Sequence, residues 1–245
     1  MSNYIDPLPK IPAAALGYLD AEFLSDALKK DPDLKIKMNC KTLSDVQAYN
    51  VIADLKGSEK PNEVIVVSGH LDSWDVGCGA TDDGGGIMQS LGVIDLLKRL
   101  SLHLERTIRC IFYINEENSS KGAIEYGNYA DTAKEKQIAA IESDRGVFTP
   151  VGFEVESDSL TLLKMQSWLP ILENAGIKWI KAGGSGADIS QIKNAKALIG
   201  YVPDDQRYFD LHHSNNDVFE EVNPREMELG TAAIATLAYL LSEEL

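Results

Sequence analysis

The sequence predicts an α/β protein, a three-layer α/β/α sandwich around a mixed, mostly parallel central sheet. From Glu63 onward, apolar runs of strand length alternate with amphipathic stretches of helix length. This alternation is typical of a parallel sheet whose two faces are both covered by helices. Ligands of such sheets bind beyond the carboxyl ends of the strands, so functional residues are expected at that edge.

The core elements follow one another in regular order. The strand candidates are EVIVVSG from Glu63, TIRCIFYIN from Thr107, and IAAIESD, which ends at Asp144. The helical patterns cover residues 86–99, 122–134, 160–175 and 224–245. The last helix has a clear start, because Asn223 is a favoured capping residue and Pro224 suits the first turn.

Residues 1–60 depart from this pattern and are predicted to form an N-terminal segment that packs on the same domain. The segment has a proline-rich entry, a short helix near residues 20–30 and two candidate edge strands, Leu34–Cys40 and Val46–Gly57. Residues 61–245 form the predicted principal domain. A length of 245 residues suits one large domain with such an appendage.

Composition and charge exclude several kinds of partner. The formal net charge is −15, whereas nucleic acids and anionic membrane surfaces are bound through basic patches, so neither partner is expected. The longest apolar run, Thr231–Leu241, is too short to span a bilayer, and the N-terminal stretch lacks the features of a signal peptide. Three scattered cysteines predict neither a disulfide framework nor a cysteine-based metal site.

Acidic residues and a histidine are concentrated where the predicted strands end. The first strand ends at His70 and Asp72, the second is followed by Glu116 and Glu117, and the third ends at Asp144. Carboxylates crowded at one sheet edge would repel one another and lose hydration, at a cost of several kcal/mol, unless a cation compensated them. The pattern therefore indicates a metal site.

A second motif, FDLHHSNND, supplies His212 and His213 in a loop before the last helix. Three of the four histidines therefore fall in these two regions. Imidazole and carboxylate ligands without thiolate favour zinc or a related metal in a catalytic site. The residues alone leave open which of the two adjacent histidines binds the metal.

Two other chemistries are disfavoured. The stretch GCGATDDGGG does not have the GxGxxG pattern of dinucleotide sites, no Walker lysine follows it, and its aspartates would repel a pyrophosphate. A serine hydrolase would be expected to carry GxSxG directly after a strand, and GGSGAD has neither the pattern nor the position.

Four motifs together resemble a known family. GHLDSWDVGCGATDDGGG, NEEN, ESD and HHSNND are similar to the co-catalytic zinc exopeptidases of the aminopeptidase Y and leucyl aminopeptidase type, including the carboxypeptidase Q (plasma glutamate carboxypeptidase) branch. The resemblance runs from about Pro61 to the C-terminus. It implies a zinc-peptidase, phosphorylase/hydrolase-like fold with a catalytic domain over 61–245. It also implies that residues 1–60 are the return from an absent lid-like domain.

The resemblance implies two Zn²⁺ ions per chain and five ligands. The implied ligands are His70, Asp82, Glu117, Asp144 and His213. Asp82 would bridge the two ions. His70 and Asp144 would complete one position, and Glu117 and His213 would complete the other. His213 is chosen over His212 because the family places its ligand before Ser/Thr-x-x-Asp, here Ser214 to Asp217.

Further roles follow from the same resemblance. Glu116 would be the general base, and Asp72 would accept a hydrogen bond from the second ring nitrogen of His70 and so fix its tautomer. Tyr208 and Asp188 would line the substrate pocket. Two departures from the family pattern lie outside the ligand set: Cys78 where a glutamine is usual, and Asn115 before the glutamate pair.

The implied activity is that of a dinuclear zinc metallo-exopeptidase, aminopeptidase- or dipeptidase-like, acting on short peptides. A metal-bridging hydroxide would attack the peptide bond, with Glu116 as general base. Two alternatives stay open: a catalytically silent, receptor-like metal-binding domain of the same fold, and a single-zinc glutaminyl cyclase. The expected partner is a short peptide substrate, with a homodimer left open. The resemblance also implies a periplasmic or extracellular, secreted location.

Overall fold

A seven-stranded mixed sheet lies at the centre of the computed structural model, which describes residues 11–41 and 43–245. The strands are β1 (Val51–Leu55), β2 (Lys60–His70), β3 (Arg106–Tyr113), β4 (Lys136–Glu142), β5 (Pro150–Ser157), β6 (Trp179–Ala182) and β7 (Ala197–Pro203). Their order across the sheet is β1-β3-β2-β4-β7-β5-β6. The pairs β1–β3 and β5–β7 are antiparallel, and the other neighbours are parallel.

Helices cover both faces of this sheet. The helices of this part of the chain are α2 (Gly85–Arg99), α3 (Lys121–Thr132), α4 (Ser159–Gln166), α5 (Leu169–Leu172), α6 (Tyr208–Leu211) and α7 (Pro224–Glu244), and α1 (Tyr18–Leu28) belongs to the N-terminal unit. Ile65 and Val67 of β2 belong to the core formed with α2 and α7, whereas Val64 and Val66 belong to the core formed with α3. The alternation of side chains along one strand thus fills two helical layers, and the predicted α/β/α fold is confirmed.

The chain divides into two compact units, Met1–Gln47 and Ala48–Leu245. In the first unit the predicted helix is present as α1, but the strand predicted over Leu34–Cys40 is not, because residues 31–41 have no regular secondary structure. Its alternating apolar side chains remain exposed, so the burial that a strand face requires is missing. The proline-rich entry lies largely outside the described residues. The domain division at residue 60 remains a prediction.

The helix predicted over 160–175 is broken in the structure. Asp158 caps α4 by accepting hydrogen bonds from two backbone N–H groups of its first turn, and α4 ends at Gln166. The chain then resumes as α5 and a single 3₁₀ turn, Glu173–Ala175. Pro170 explains the break, because proline has no N–H for the preceding turn. Within residues 11–41 and 43–245, no helix has the length and apolar character needed to cross a membrane.

The register of three parallel strands brings their carboxyl ends together. His70 at the end of β2 is paired with Tyr113 at the end of β3, and Ser68 is paired with Glu142 at the end of β4. Residues that follow β3 and β4 therefore emerge beside His70. This is the edge at which the sequence predicts functional residues.

Arg109 on β3 joins β1 to the loop before β4. Its residue exposure is 4%, and it donates hydrogen bonds to both oxygens of Asp54, at 2.7 and 2.9 Å, and of Glu135, at 2.7 and 3.0 Å. We expect Arg109→Met to lower the free energy of unfolding by about 3 kcal/mol, because two largely covered carboxylates lose the guanidinium that bridges them. Urea unfolding at pH 7 measures this change.

Arg99→Met is the matched control, because Arg99 is exposed and its ion pair is to Asp95 within the same helix. Its expected effect is below about 0.5 kcal/mol. The hydrogen bonds from Arg109 lower the pKa of Asp54 from 3.8 to about 2. Asp54 therefore stabilises the fold above pH 3.8, and this contribution is lost as the pH falls towards 2. A difference between wild type and R109M that stayed constant over this range would contradict the assignment.

Candidate metal centre

His70 is held at the end of β2 with one ring nitrogen turned towards two carboxylates. The residue is buried, and its Nδ1 lies 2.8 Å from the backbone carbonyl oxygen of Asp72. Since a carbonyl can only accept, Nδ1 carries a proton, and Nε2 is the ring nitrogen left to bind a metal. Nε2 lies 3.3 Å from Asp82 Oδ1 and 3.4 Å from Asp144 Oδ1. In most metal-binding histidines the second ring nitrogen donates to a carboxylate, a carbonyl or a water in this way.

The Asp82 carboxylate lies between histidines from two distant parts of the chain. It belongs to an irregular helical turn, Ala80–Gly84, and the peptide bond that joins it to Asp83 is cis. Its Oδ1 faces His70, and its Oδ2 lies 3.4 Å from His213 Nε2. With 5% exposure, Asp82 presents both oxygens inside the protein rather than to bulk solvent. One carboxylate can therefore contact two separate groups of possible metal ligands.

The two adjacent histidines differ in their acidic neighbours. His213 Nε2 lies 2.9 Å from Glu117 Oε2 as well as 3.4 Å from Asp82, whereas the ion pair of His212 is to Asp82, at 3.5 Å. The two imidazoles are stacked with their centroids 3.6 Å apart. Trp74 also stacks on His213, with centroids 4.1 Å apart and an interplanar angle of 8°. The ring of His213 is therefore stacked between those of His212 and Trp74, next to Glu117.

The buried acids of this cluster lack partners in a way that fits a bound cation. Among the described residues, the side-chain oxygens buried without a hydrogen-bond partner include Asp82 Oδ2, Glu117 Oε1 and Asp144 Oδ1. Ligand atoms of His70, Asp82 and Glu117 all lie within 4.8 Å of one another. Uncompensated buried carboxylates are costly, and a donor set of imidazole and carboxylate without thiolate suits zinc. The residues present therefore fit the metal that the sequence predicts.

Burial and mutual repulsion perturb the acids of the cluster. Burial raises the pKa of Glu117 to about 7, and the neighbouring Asp82 adds to the shift. Burial also raises the pKa of Glu116, with a further contribution from Asp144. A bound cation would oppose these shifts, because it stabilises the ionised carboxylates.

Asp72 accepts a hydrogen bond from His70 Nδ1 through its backbone carbonyl rather than through its carboxylate. Its Oδ1 lies 3.9 Å from His70 Nδ1, and the group that accepts from that nitrogen is the Asp72 backbone carbonyl. The carboxylate instead accepts the backbone N–H groups of Glu116, at 3.0 Å, and Glu117, at 3.2 Å. Asp72 therefore fixes His70 with its main chain and the glutamate turn with its side chain.

Comparison with known proteins adds an independent line of support. The sequence profile of peptidase family M28 matches residues 50–238. Carboxypeptidase Q from Homo sapiens is 33% identical over 99% of this chain. The chain belongs to peptidase family M28. The predicted resemblance to zinc exopeptidases is confirmed.

Other similar proteins extend the comparison. Carboxypeptidase Q from Rattus norvegicus is 34% identical over 98% of this chain. The crystal structure of a peptidase M28 precursor from Shewanella amazonensis is 29% identical, with a TM-score of 0.90 over 99% of this chain and 56% of that one. A zinc aminopeptidase from Bacillus subtilis, 19% identical with a TM-score of 0.62 over 80% of this chain and 50% of that one, shows a shared fold alone. The chain spans about half, 52%, of the length of the curated relatives it matches.

Asp188 lies near Glu142, a buried acid that was not among the predicted site residues. Asp188 is 1% exposed, and burial together with Glu142 raises its pKa to about 9. Glu142 accepts the N–H of Ile189 at 2.8 Å, and burial raises its pKa to about 8. One signal was available in the sequence: an acid inside an apolar strand, two residues before Asp144.

Tyr208 lies beside the histidines of the M28 site, with its side chain largely covered. It packs with Phe148 and Leu211, and its ring centroid is 4.9 Å from that of His212. Burial raises the pKa of its hydroxyl, and Asp144 adds to the shift, so the hydroxyl stays protonated as a donor. The assignment of Tyr208 and Asp188 to a substrate pocket stays a prediction.

Proposed function

We propose that this chain supplies the catalytic site of a zinc metallo-exopeptidase that binds two zinc ions and hydrolyses short peptides in an aminopeptidase- or dipeptidase-like manner. The observation that carries the proposal is the position of Asp82, whose two oxygens lie 3.3 and 3.4 Å from Nε2 of His70 and His213. Membership of family M28, and relatives named carboxypeptidase Q and zinc aminopeptidase, support it. Residues 61–245 are the proposed catalytic domain.

Two sets of ligands are proposed around Asp82. His70 and Asp144 would complete one set, and their facing atoms are 3.4 Å apart. Glu117 and His213 would complete the other, and their facing atoms are 2.9 Å apart. The unpartnered oxygens of the acids in both sets support this division.

The proposed chemistry is hydrolysis with Glu116 as proton carrier. When bound, the zinc ions would lower the pKa of a water towards about 7 and polarise the scissile carbonyl. Glu116 takes one proton from the attacking water and delivers it to the leaving amine nitrogen as the peptide bond breaks. Asp72 steadies Glu116 by accepting its backbone N–H. Tyr208 and Asp188 are proposed to contact the substrate.

Partners and location are proposed on the family resemblance. The substrate is a short peptide, the location is periplasmic or extracellular, and a homodimer is left open. The net charge of −15 supports the expectation that nucleic acid is not a partner.

Removal of metal is expected to abolish peptide hydrolysis, and zinc is expected to restore it. The protein is dialysed against a chelator and titrated with zinc, while dipeptide hydrolysis and zinc per chain are measured on the same samples. Activity should saturate at about two zinc ions per chain, because both ligand sets share Asp82. Calcium is the control cation, since it prefers oxygen ligands in larger number.

Two other outcomes would contradict the proposal in distinct ways. About one zinc per chain together with cyclisation of peptides that begin with glutamine would indicate a glutaminyl cyclase. Zinc binding without turnover of any dipeptide would indicate a silent metal-binding domain of the same fold.

A further inference from the structure

A buried carboxylate outside the ligand set, that of Asp217, binds the backbone of Asp82. Asp217 is 2% exposed. Its Oδ1 accepts the N–H and the hydroxyl of Thr81, at 2.7 and 2.8 Å, and its Oδ2 accepts the N–H of Asp82 at 3.1 Å. We propose that Asp217 is a positioning residue that holds Asp82 between the two zinc positions. The inference rests on the proposed function, since it concerns the same ligands.

Asp217 also joins the two loops that carry the central ligands. It follows His213 by four residues, and its own backbone carbonyl accepts the N–H of Cys78 at 3.1 Å. A methyl group on Gly77 would come within 2.5 Å of the carbonyl oxygen of Ser214, so the two loops meet backbone against backbone. The position of Asp82 is thereby tied to that of His213.

Local structure alone does not hold Asp82. Its φ of −129° and ψ of 83° lie outside the helical region, although it belongs to a helical turn. The hydrogen bond that the Asp82 N–H donates to Asp217 orients the peptide plane next to the Asp82 side chain. Because Asp82 is the ligand that both zinc positions would share, its displacement would weaken both positions together. Loss of Glu117, which belongs to only one of the two ligand sets, would weaken only that zinc position.

Aspartate suits this task because it only accepts hydrogen bonds and offers two oxygens to two donors. An asparagine can satisfy Thr81 with its oxygen, but its NH₂ group then faces the N–H of Asp82. Asp217→Asn therefore breaks the bond to Asp82 selectively. Thr81→Val is the matched control, because it removes the hydroxyl bond to Asp217 and leaves the bond to Asp82 intact.

The test is zinc affinity, measured by competition with a chromophoric chelator, so that no peptide assay is involved. D217N should weaken both zinc positions by about 10- to 100-fold, and T81V by less than about 3-fold. Unchanged affinity in D217N, weakening of one position alone, or equal weakening in T81V would each overturn the proposal. Thermal unfolding of the metal-free variants separates lost affinity from lost fold.

A second measurement covers a D217N variant that does not fold. In the metal-free wild-type protein, the amide hydrogens of Thr81 and Asp82 should exchange slowly, because Asp217 already binds them. Exchange at the rate of an unstructured peptide would overturn the proposal. A wild-type protein that binds no zinc would contradict the proposed function, whereas fast exchange of these amides contradicts the role of Asp217.

Discussion

Replacement of Glu116 by glutamine is expected to lower kcat for a peptide substrate by about 10²- to 10⁴-fold while zinc per chain stays unchanged. Glutamine matches glutamate in size but cannot accept the proton of the attacking water at neutral pH. The backbone bond from Glu116 to Asp72 is unaffected by the change, so the turn should keep its shape. The measurement is kcat together with zinc content on the same preparation.

Glu125→Gln is the control for loss of one negative charge, because Glu125 is exposed on α3. It should leave kcat within about twofold of wild type. Unchanged turnover in E116Q would remove Glu116 as the base. Loss of zinc in E116Q would make Glu116 a ligand, and the assignment of Glu117 would then have to be revised.

Replacement of His213 by alanine is expected to remove about one zinc ion per chain, whereas replacement of His212 should remove none. The difference follows from the 2.9 Å approach of His213 Nε2 to Glu117, which the ion pair of His212 to Asp82 does not reproduce. Zinc is counted by elemental analysis after gel filtration. Turnover should fall with the zinc content of H213A, because the chemistry requires both ions.

His103→Ala is a further control, since His103 is exposed and its bonds are to Ser58, Glu59 and Glu243 rather than to the metal centre. It should retain both ions. A full zinc complement in H213A with one ion missing in H212A would move the ligand to His212. Equal loss in both variants would instead indicate that the stacked pair acts as one structural unit.

The sequence predicted the buried centre of the sheet well, because strands covered on both faces must be apolar throughout. β2, β3 and β4 were found in this way. β5, β6 and β7 were not predicted individually, since they are short or interrupted by glycine and charged residues. The helix over 160–175 was wrong at Pro170, where the apolar period continues although the hydrogen bonding cannot. The strand over Leu34–Cys40 was wrong because an alternating pattern does not by itself provide a partner strand.

The site residues that follow the ends of core strands could be predicted from the sequence. Parallel strands deliver His70, Glu117 and Asp144 to one edge whatever the details of packing. The oxygen of Asp72 that accepts from His70 was not predicted, because sequence does not distinguish the carbonyl of Asp72 from its carboxylate. The hydrogen bonds of Asp217 depend on contacts between distant loops, which no local pattern contains.

The place of β7 in the sheet links the metal centre to the order in which the chain can fold. β7 pairs with both β4 and β5, and the loop after it carries His213 and Asp217 to a turn that lies 136 positions earlier in the chain. A nascent chain that has paired β2, β3 and β4 already holds every proposed ligand except His213. Contacts of such long range form only after a large loss of chain entropy. Zinc held by all five ligands would therefore stabilise only a chain in which β7 has joined the sheet, so zinc binding would favour this late step of folding.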